Sequence, residues 1–297
     1  MKSINKITAT LIPDTQQRNF LGGENVELTI DVLKFKDGSL RVTLPDFNPD
    51  VQHRYFKVEA FCESMEDLMV ISQVKEIVER LSKTPRITSL KLLSTLYTRY
   101  DRPMFKTGID GFGAKCFTQF VNAMKFDVVD VLDCHSRVTV DLLNMGISSH
   151  EQLHLMASIV DTSVIDMNLV APDEGATVKN EYARLICDKV RNTETGEITG
   201  MEIVHDSVIN PEKKFLVVDD ICEGGRTFLE VAKLLEEKYP NTERELYITH
   251  GIFSNNAVPK LLEKYSKVHV YIMKASVYDS LHELEKSKLN IKFLVNA

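Results

Sequence analysis

The residues best suited to chemistry lie in one run, Phe215-Leu216-Val217-Val218-Asp219-Asp220-Ile221-Cys222-Glu223-Gly224-Gly225-Arg226-Thr227. Four apolar residues bring a buried strand, Phe215 to Val218, to the protein surface. Two carboxylates follow, then a glycine turn, then a hydroxyl residue at the start of a helix predicted from Thr227 to Lys238. Such a turn aims successive backbone N–H groups at a phosphate, and the helix dipole strengthens that field. The adjacent acids, Asp219 and Asp220, are a pair of acceptors for a pair of vicinal sugar hydroxyls. Residues Glu223, Gly224, Gly225, Arg226 and Thr227 form the candidate phosphate cradle.

Other polar clusters fall where apolar runs end. Val128 to Leu132 reads as a strand leading to Asp133-Cys134-His135, and Val164 to Val170 as a strand leading to Ala171-Pro172-Asp173. Leu246 to Phe253 and Val268 to Met273 are further strands, separated by a helix around Pro259 to Tyr265. A helix is predicted from Ser64 to Lys83, with Ser64 and Asp67 as a capping box, and a strand from Ile87 to Leu93. Phe112, Cys116, Phe117, Phe120, Val121 and Met124 predict another helix, and Asn180 to Cys187 a further one. Strands alternating with helices imply an α/β protein of parallel sheets with helices on both faces. In such folds ligands bind beyond the carboxyl ends of the strands, where these clusters fall.

The 297 residues suit two α/β domains, 1–147 and 148–297. Hydrophobic residues at 43% and charged residues at 27% are ordinary for a soluble chain with a full core. No run approaches the ~18 apolar residues of a membrane helix, and the N-terminus does not read as a signal peptide. A formal net charge of −7 argues against general nucleic-acid binding but not against phosphate ligands held by local N–H groups. Cys62, Cys116, Cys134, Cys187 and Cys222 are odd in number and widely spaced, which speaks against a disulfide framework and for a reducing cytoplasm.

The run from Phe215 to Thr227 resembles the phosphoribosyl-diphosphate-binding motif of type I phosphoribosyltransferases and of the synthetases that make that compound. Further segments are similar to those of the phosphoribosyl-diphosphate synthetase family alone. They are Lys34-Phe35-Lys36-Asp37-Gly38, Arg99-Tyr100-Asp101-Arg102, Asp133-Cys134-His135, Ala171-Pro172-Asp173-Glu174-Gly175, Asp188-Lys189-Val190-Arg191 and Thr249-His250-Gly251-Ile252-Phe253-Ser254. The resemblance implies two type I phosphoribosyltransferase-like domains, each a mainly parallel sheet flanked by helices. It implies transfer of a diphosphoryl group from ATP to the anomeric hydroxyl of a 5-phosphorylated ribose, with Mg²⁺. Phe35 and Arg99 would sandwich adenine, with Asp37 near its edge and Asp101 in the same ATP-binding set. His135 and Asp173 would contact the metal or its waters. Lys189 and Arg191 would ride a mobile arm, continuing through Asn192 to Glu197, and neutralise the migrating group. The Phe35 hairpin would come from a neighbouring subunit, so the resemblance also implies a homo-oligomer.

Several positions depart from the family pattern. Tyr100 stands for a usual Gln, Ser39 for a usual acid, and Pro103-Met104-Phe105-Lys106 for a more basic cluster. The phosphate loop reads Glu-Gly-Gly-Arg-Thr where Asp-Thr-Gly-Gly-Thr is common. These changes leave the acceptor open between ribose 5-phosphate and ADP-ribose. Two other classes also stay open at this point: a phosphoribosyltransferase that consumes the diphosphate sugar, and a non-catalytic partner of a synthetase.

Overall fold

The structure, a computed structural model, describes the chain apart from residues 14–23, 51–52, 84–85, 104–107, 149–151, 161–166, 192–197, 208, 211 and 297, and apart from the side chains of 191, 198 and 199. Chain packing divides it into two units, Asn5–Ser149 and a second made of Met1–Ile4 with His150–Ala297.

Strand β1 (Lys2–Asn5) opens the chain. The Asn5–Ser149 unit then builds a sheet from β2 (Ile7–Ile12), β3 (Val26–Leu28), β6 (Tyr55–Phe61), β7 (Ile87–Ser94), β8 (Val128–Val131) and β9 (Gly146–Ile147), in the order β3-β2-β6-β7-β8-β9. Strand β2 runs antiparallel to both β3 and β6, and the pairs from β6 to β9 are parallel. Strands β4 (Asp31–Lys34) and β5 (Leu40–Thr43) form a separate antiparallel hairpin. Helix α1 (Met65–Leu81) buries Leu68, Ile71, Val74 and Val78, one face at helical spacing. Its entry is fixed by Asp67, whose Oδ2 accepts from the backbone N–H of Ser64 at 2.9 Å and of Glu63 at 2.8 Å. Helix α2 (Gly113–Ala123) is the helix expected from the apolar spacing between Phe112 and Met124. Ala114, Phe117, Thr118 and Val121 face the core, whereas Cys116 and Phe120 are exposed. Cys116 and Phe120 form a stripe of their own four residues apart, one step round the helix from the Phe117–Val121 stripe. A short helix, α3 (Arg137–Asp141), completes this unit.

The second unit carries helix α4 (Gln152–Ala157), then β10 (Asn168–Ala171), α5 (Glu174–Thr177), β11 (Leu185–Arg191), β12 (Ile198–Asp206) and β13 (Phe215–Cys222). Helix α6 (Arg226–Lys238), β14 (Arg244–Gly251), α7 (Ala257–Leu262), β15 (Lys267–Lys274), α8 (Ala275–Asp279), α9 (Glu283–Ser287) and β16 (Leu289–Asn296) follow. The sheet order is β1-β16-β15-β14-β13-β10-β11-β12. All pairs from β16 through β11 are parallel and β11–β12 is antiparallel. Strand β10 is buried at every position and β13 over its first four, as expected of parallel strands covered on both faces. Strand β1 lies beside β16, with Ser3 Oγ donating to Asn296 Oδ1 at 3.2 Å.

Three expectations change here. Residues 180–187 hold no helix. Asn180 to Ala183 make a turn, closed by Ala183 N–H donating to Asn180 O at 3.1 Å, and Leu185 onward is strand. Pairing with β10 on one side and β12 on the other outweighs local helix propensity. Strand β13 continues through the acids to Cys222 instead of ending at Val218. Lys189 and Arg191 lie within β11, paired with Met201 and Ile198 of β12, not on a free arm. Residues 192–197, the arm's expected continuation, lie outside the described residues, as do 164–166 of the expected strand before Asp173 and Met104 to Lys106 of the thinned cluster.

The chain reverses direction across the second sheet between β10 and β13. From β10 it moves to β11 on one side, and from β13 to β14 on the other. In open α/β sheets, loops leaving two such neighbouring strands diverge, and the crevice expected at their carboxyl ends is the usual ligand position.

The opposite end of this sheet holds a buried polar cluster. Glu245 Oε2 lies 2.8 Å from His269 Nε2, and Lys214 Nζ donates to Glu245 Oε1 at 3.0 Å. The hydrogen bond to His269, then Lys214, holds the Glu245 carboxyl down at about 2, against the opposing effect of burial. A carboxyl lowered on folding contributes stability above its unfolded value, near 4.5, and loses it as pH falls toward 2. The contribution is roughly 3 kcal/mol. Glu245→Gln is expected to lower the denaturant midpoint at pH 7 and to flatten the acid limb of the stability–pH curve between pH 4.5 and 2. An unchanged acid limb would count against the assignment.

Candidate active site

At the end of β10, Asp173 caps α5 and faces β11. Its Oδ1 accepts from Ala176 N–H at 3.1 Å, and its Oδ2 accepts from Lys189 Nζ at 2.8 Å. On the neighbouring strand β13, Asp220 is only 4% exposed and its Oδ2 accepts from Lys179 Nζ at 2.7 Å. Asp219 Oδ1 accepts from Asp220 N–H at 2.9 Å. Burial pushes the Asp219 carboxyl well above the usual range, and the charges of Asp220 and Asp173 add to the effect. The structure therefore brings Asp173, Lys189, Asp219 and Asp220 to one crevice.

Sequence reasoning passed over Lys179. Its pairing with Asp220 spans 41 positions of chain, and the only local signal is a lysine in the turn after α5.

The chain then turns through Glu223 and Gly224 into α6. Gly225 holds φ +75° at the helix N-cap, a left-handed conformation that suits glycine. With glycine there, the N-cap residue brings no side-chain acceptor to the first turn of α6, whose N–H groups and dipole favour an anion. Arg226 is exposed and makes no ion pair among the described residues, and Thr227 is half-buried. A Cβ on Gly224 would meet only Asn255 Nδ2, at 3.8 Å, so the loop is open at that point. Asn255 was also missed. It sits at φ +55° in the turn after β14.

The Asn5–Ser149 unit presents the remaining candidates. Phe35 stands at the tip of the β4–β5 hairpin, 45% exposed, with its N–H donating to Ser39 O at 2.8 Å. Gly38 turns the tip at φ +87°. Asp37 Oδ1 accepts from Ser39 Oγ at 2.7 Å and Ser39 N–H at 3.0 Å, which holds its exposed carboxyl below the usual range. Arg99 and Asp101 follow β7, Arg99 exposed and Asp101 half-buried. Arg102 Nε is 3.9 Å from Asp101 Oδ1 on a side chain 81% exposed, a contact of little energetic weight. His135 is exposed in the turn after β8, between buried Cys134 and Ser136, whose Oγ caps α3 by accepting from Val138 N–H at 3.2 Å. Strands β7 and β8 are parallel neighbours, so the Arg99 and His135 loops leave the same edge of that sheet.

Among the described residues no group of three or more His, Cys, Asp or Glu side chains is placed to hold a metal ion. The acids of the crevice suit a cation that takes most of its oxygens from phosphates and water, as Mg²⁺ does. All five cysteines are free thiols, and burial pushes that of Cys62 up to about 12.

No protein-family model matches the chain. It is 26% identical over 217 residues to a ribose-phosphate pyrophosphokinase of Cereibacter sphaeroides, a match covering 69% of this chain and 61% of that protein. It is 23% identical over 238 residues to a ribose-phosphate pyrophosphokinase of Marinomonas sp., covering 77% and 72%. The first match thus spans less than two thirds of its relative's length. The fold is that of the phosphoribosylpyrophosphate synthetase of Mycobacterium smegmatis, with a TM-score of 0.66 at 17% identity over 90% of this chain and 86% of that one. The resemblance read from the motifs therefore agrees with these similarities to ribose-phosphate pyrophosphokinases.

The unequal surroundings of the two adjacent acids make a test. Asp219 has its carboxyl raised on folding, so the stability it gives is complete below its unfolded value, near 3.8, and is lost as pH rises through the folded one. At pH 7 Asp219→Asn is expected to raise the melting temperature by on the order of a few °C. Asp220→Asn removes the carboxylate charge that Lys179 meets at 2.7 Å and is expected to lower it. Thermal denaturation of both variants at pH 7 checks this, and shifts of the same sign would contradict the asymmetry.

Proposed function

We propose that this protein transfers the β,γ-diphosphoryl group of ATP to the anomeric hydroxyl of a 5-phosphorylated ribose, releasing AMP. The observation that carries the reading is the crevice between β10 and β13. There an acid pair, a helix N-terminus behind a left-handed glycine, and a lysine bonded to an opposing aspartate occupy one strand-end site. The names of the two curated relatives and of the structural neighbour support it.

Asp219 and Asp220 accept hydrogen bonds from the ribose hydroxyls, and Glu223, Gly224, Gly225, Arg226 and Thr227 cradle the 5-phosphate. Phe35 and Arg99 take the adenine of ATP between ring and guanidinium, with Asp37 and Asp101 at its polar edge. Exposure of Phe35 on a hairpin tip fits a role outside the core, and the resemblance gives that hairpin to a neighbouring subunit of a homo-oligomer. Asp173 and His135 would hold Mg²⁺ or its waters. Bound there, the ion would offset phosphate charge. Lys189 and Arg191 neutralise the moving diphosphoryl group, where alignment and charge matter more than covalent chemistry. No described helix is long and apolar enough to cross a membrane. The five free thiols fit a reducing cytoplasm.

The acceptor carries more than a plain monophosphate at its 5-position, and ADP-ribose is the candidate. The open space over Gly224 and the exposed cation of Arg226, which has no ion pair among the described residues, suit a diphosphate ester better than a lone phosphate. Activity on ribose 5-phosphate and ADP-ribose at equal concentration, in wild type and Arg226→Gly, decides it. Wild type is expected to show the higher kcat/KM with ADP-ribose, and Arg226→Gly to narrow the gap. A wild-type preference for ribose 5-phosphate would sink the ADP-ribose reading. A preference that survives Arg226→Gly would keep the substrate and remove the residue-level cause.

Lys189→Ala and Arg191→Ala are each expected to lower kcat on the order of 10²–10³-fold while raising the KM for ATP far less, since their charges act on the transferring group. Steady-state AMP release gives both constants. A loss confined to KM would move these residues to ground-state binding.

A further inference from the structure

Three carboxyls, Asp173, Asp219 and Asp220, crowd the crevice, and two lysines answer them. Lys189 reaches Asp173 from the β11–β12 hairpin. Lys179 reaches Asp220 from the turn after α5, and Asp219 has no ion pair among the described residues. The two cations are mounted differently. Lys189 stands on β11 two residues before the strand ends. Lys179 stands beside Asn180, which is fully buried. Asn180 N–H donates to Ala176 O at 3.0 Å and Asn180 O accepts from Ala183 N–H at 3.1 Å, which pins the turn to α5.

A carboxylate as buried as Asp220 needs a cation or several donors to keep its charge. An ammonium at 2.7 Å supplies charge and direction together. It engages one carboxylate oxygen and so fixes the plane in which the other lies.

We propose that Lys179 is a positioning residue for the acceptor sugar. It holds the Asp220 carboxylate in the orientation that receives a ribose hydroxyl, while Lys189 serves the diphosphoryl group. The inference rests on reading the Asp219–Asp220 pair as the sugar-hydroxyl site. It separates the two lysines by the substrate each serves. Loss of Lys179 weakens the sugar and spares kcat and the nucleotide, whereas loss of Lys189 falls on kcat and spares the sugar.

The test compares wild type with Lys179→Met, Lys179→Gln and Lys179→Arg. Ribose 5-phosphate and ADP-ribose are titrated separately by calorimetry without ATP, and AMP release is followed with sugar varied at saturating ATP and Mg²⁺, then with ATP varied. Lys179→Met is expected to raise the sugar Kd and KM on the order of 10- to 100-fold, the weight of one hydrogen bond to a charged group. The kcat and the KM for ATP should stay close to wild type, and Lys179→Arg should recover most of the sugar affinity. A folded Lys179→Met protein with unchanged sugar Kd and KM overturns the proposal. So does a loss that falls mainly on kcat or on the KM for ATP. Should Lys179→Met not fold, Lys179→Gln carries the same comparison, because it keeps hydrogen-bond donors without the charge. Wild type that binds either sugar but releases no AMP sinks the diphosphokinase reading, and the calorimetric comparison still decides the role of Lys179. Wild type that binds neither sugar overturns both.

Discussion

Two carboxyl groups on consecutive residues of a largely buried strand repel each other, and burial strengthens the repulsion by removing water. Asp219 and Asp220 live under that constraint, and their surroundings answer it unequally. Asp220 receives the Lys179 ammonium, whereas Asp219 is left with a carboxyl that burial and its neighbours push upward. Asp173 approaches from the next strand and is itself bonded by Lys189. A site of this kind is costly to the fold and is retained only where something uses the acids. The proposed occupants are vicinal hydroxyls, which donate two hydrogen bonds.

Sheet topology puts the acids where they can act. The reversal between β10 and β13 opens the crevice, and the parallel pairing Val170↔Val217 aligns the carboxyl ends that carry Asp173 and the acid pair. Buried β10 and the buried first half of β13 anchor this end of the sheet beneath the polar turn at residues 223–225. Gly225 supplies the left-handed bend, and the packing of Ala257 and Leu261 within 3.4–3.5 Å of its would-be Cβ seats the start of α6 against α7. The turn proposed as a phosphate cradle is thus backbone placed by core packing.

Much of this was legible because the decisive signals are contiguous. A buried strand, two acids, two glycines and an amphipathic helix follow one another between Phe215 and Lys238, and each constrains the next. The capping box of α1 was legible for the same local reason. What escaped depends on distant partners. Lys179 becomes meaningful only through Asp220, and β1 only through β16 at the far end of the chain. Residues 180–187 read as helix because the β12 strand that claims their second half lies beyond residue 197. The exposure of Cys116 and Phe120 was not legible, because apolar character alone does not say which stripe of α2 is buried. The roles of Phe35, Arg99 and His135 came from resemblance, since a lone exposed aromatic, arginine or histidine has no periodicity to betray a function.

The central claim is that both terminal phosphates of ATP leave together and arrive on the anomeric oxygen of the sugar. Phosphorus NMR of the wild-type protein with ATP, Mg²⁺ and either ribose 5-phosphate or ADP-ribose tests it most directly. The account predicts that the signals of the β and γ phosphorus atoms of ATP are replaced in step by a sugar 1-diphosphate pair, with AMP as the only nucleotide product from ATP. Formation of ADP with a sugar monophosphate, or of free phosphate or diphosphate independent of the sugar, would contradict it.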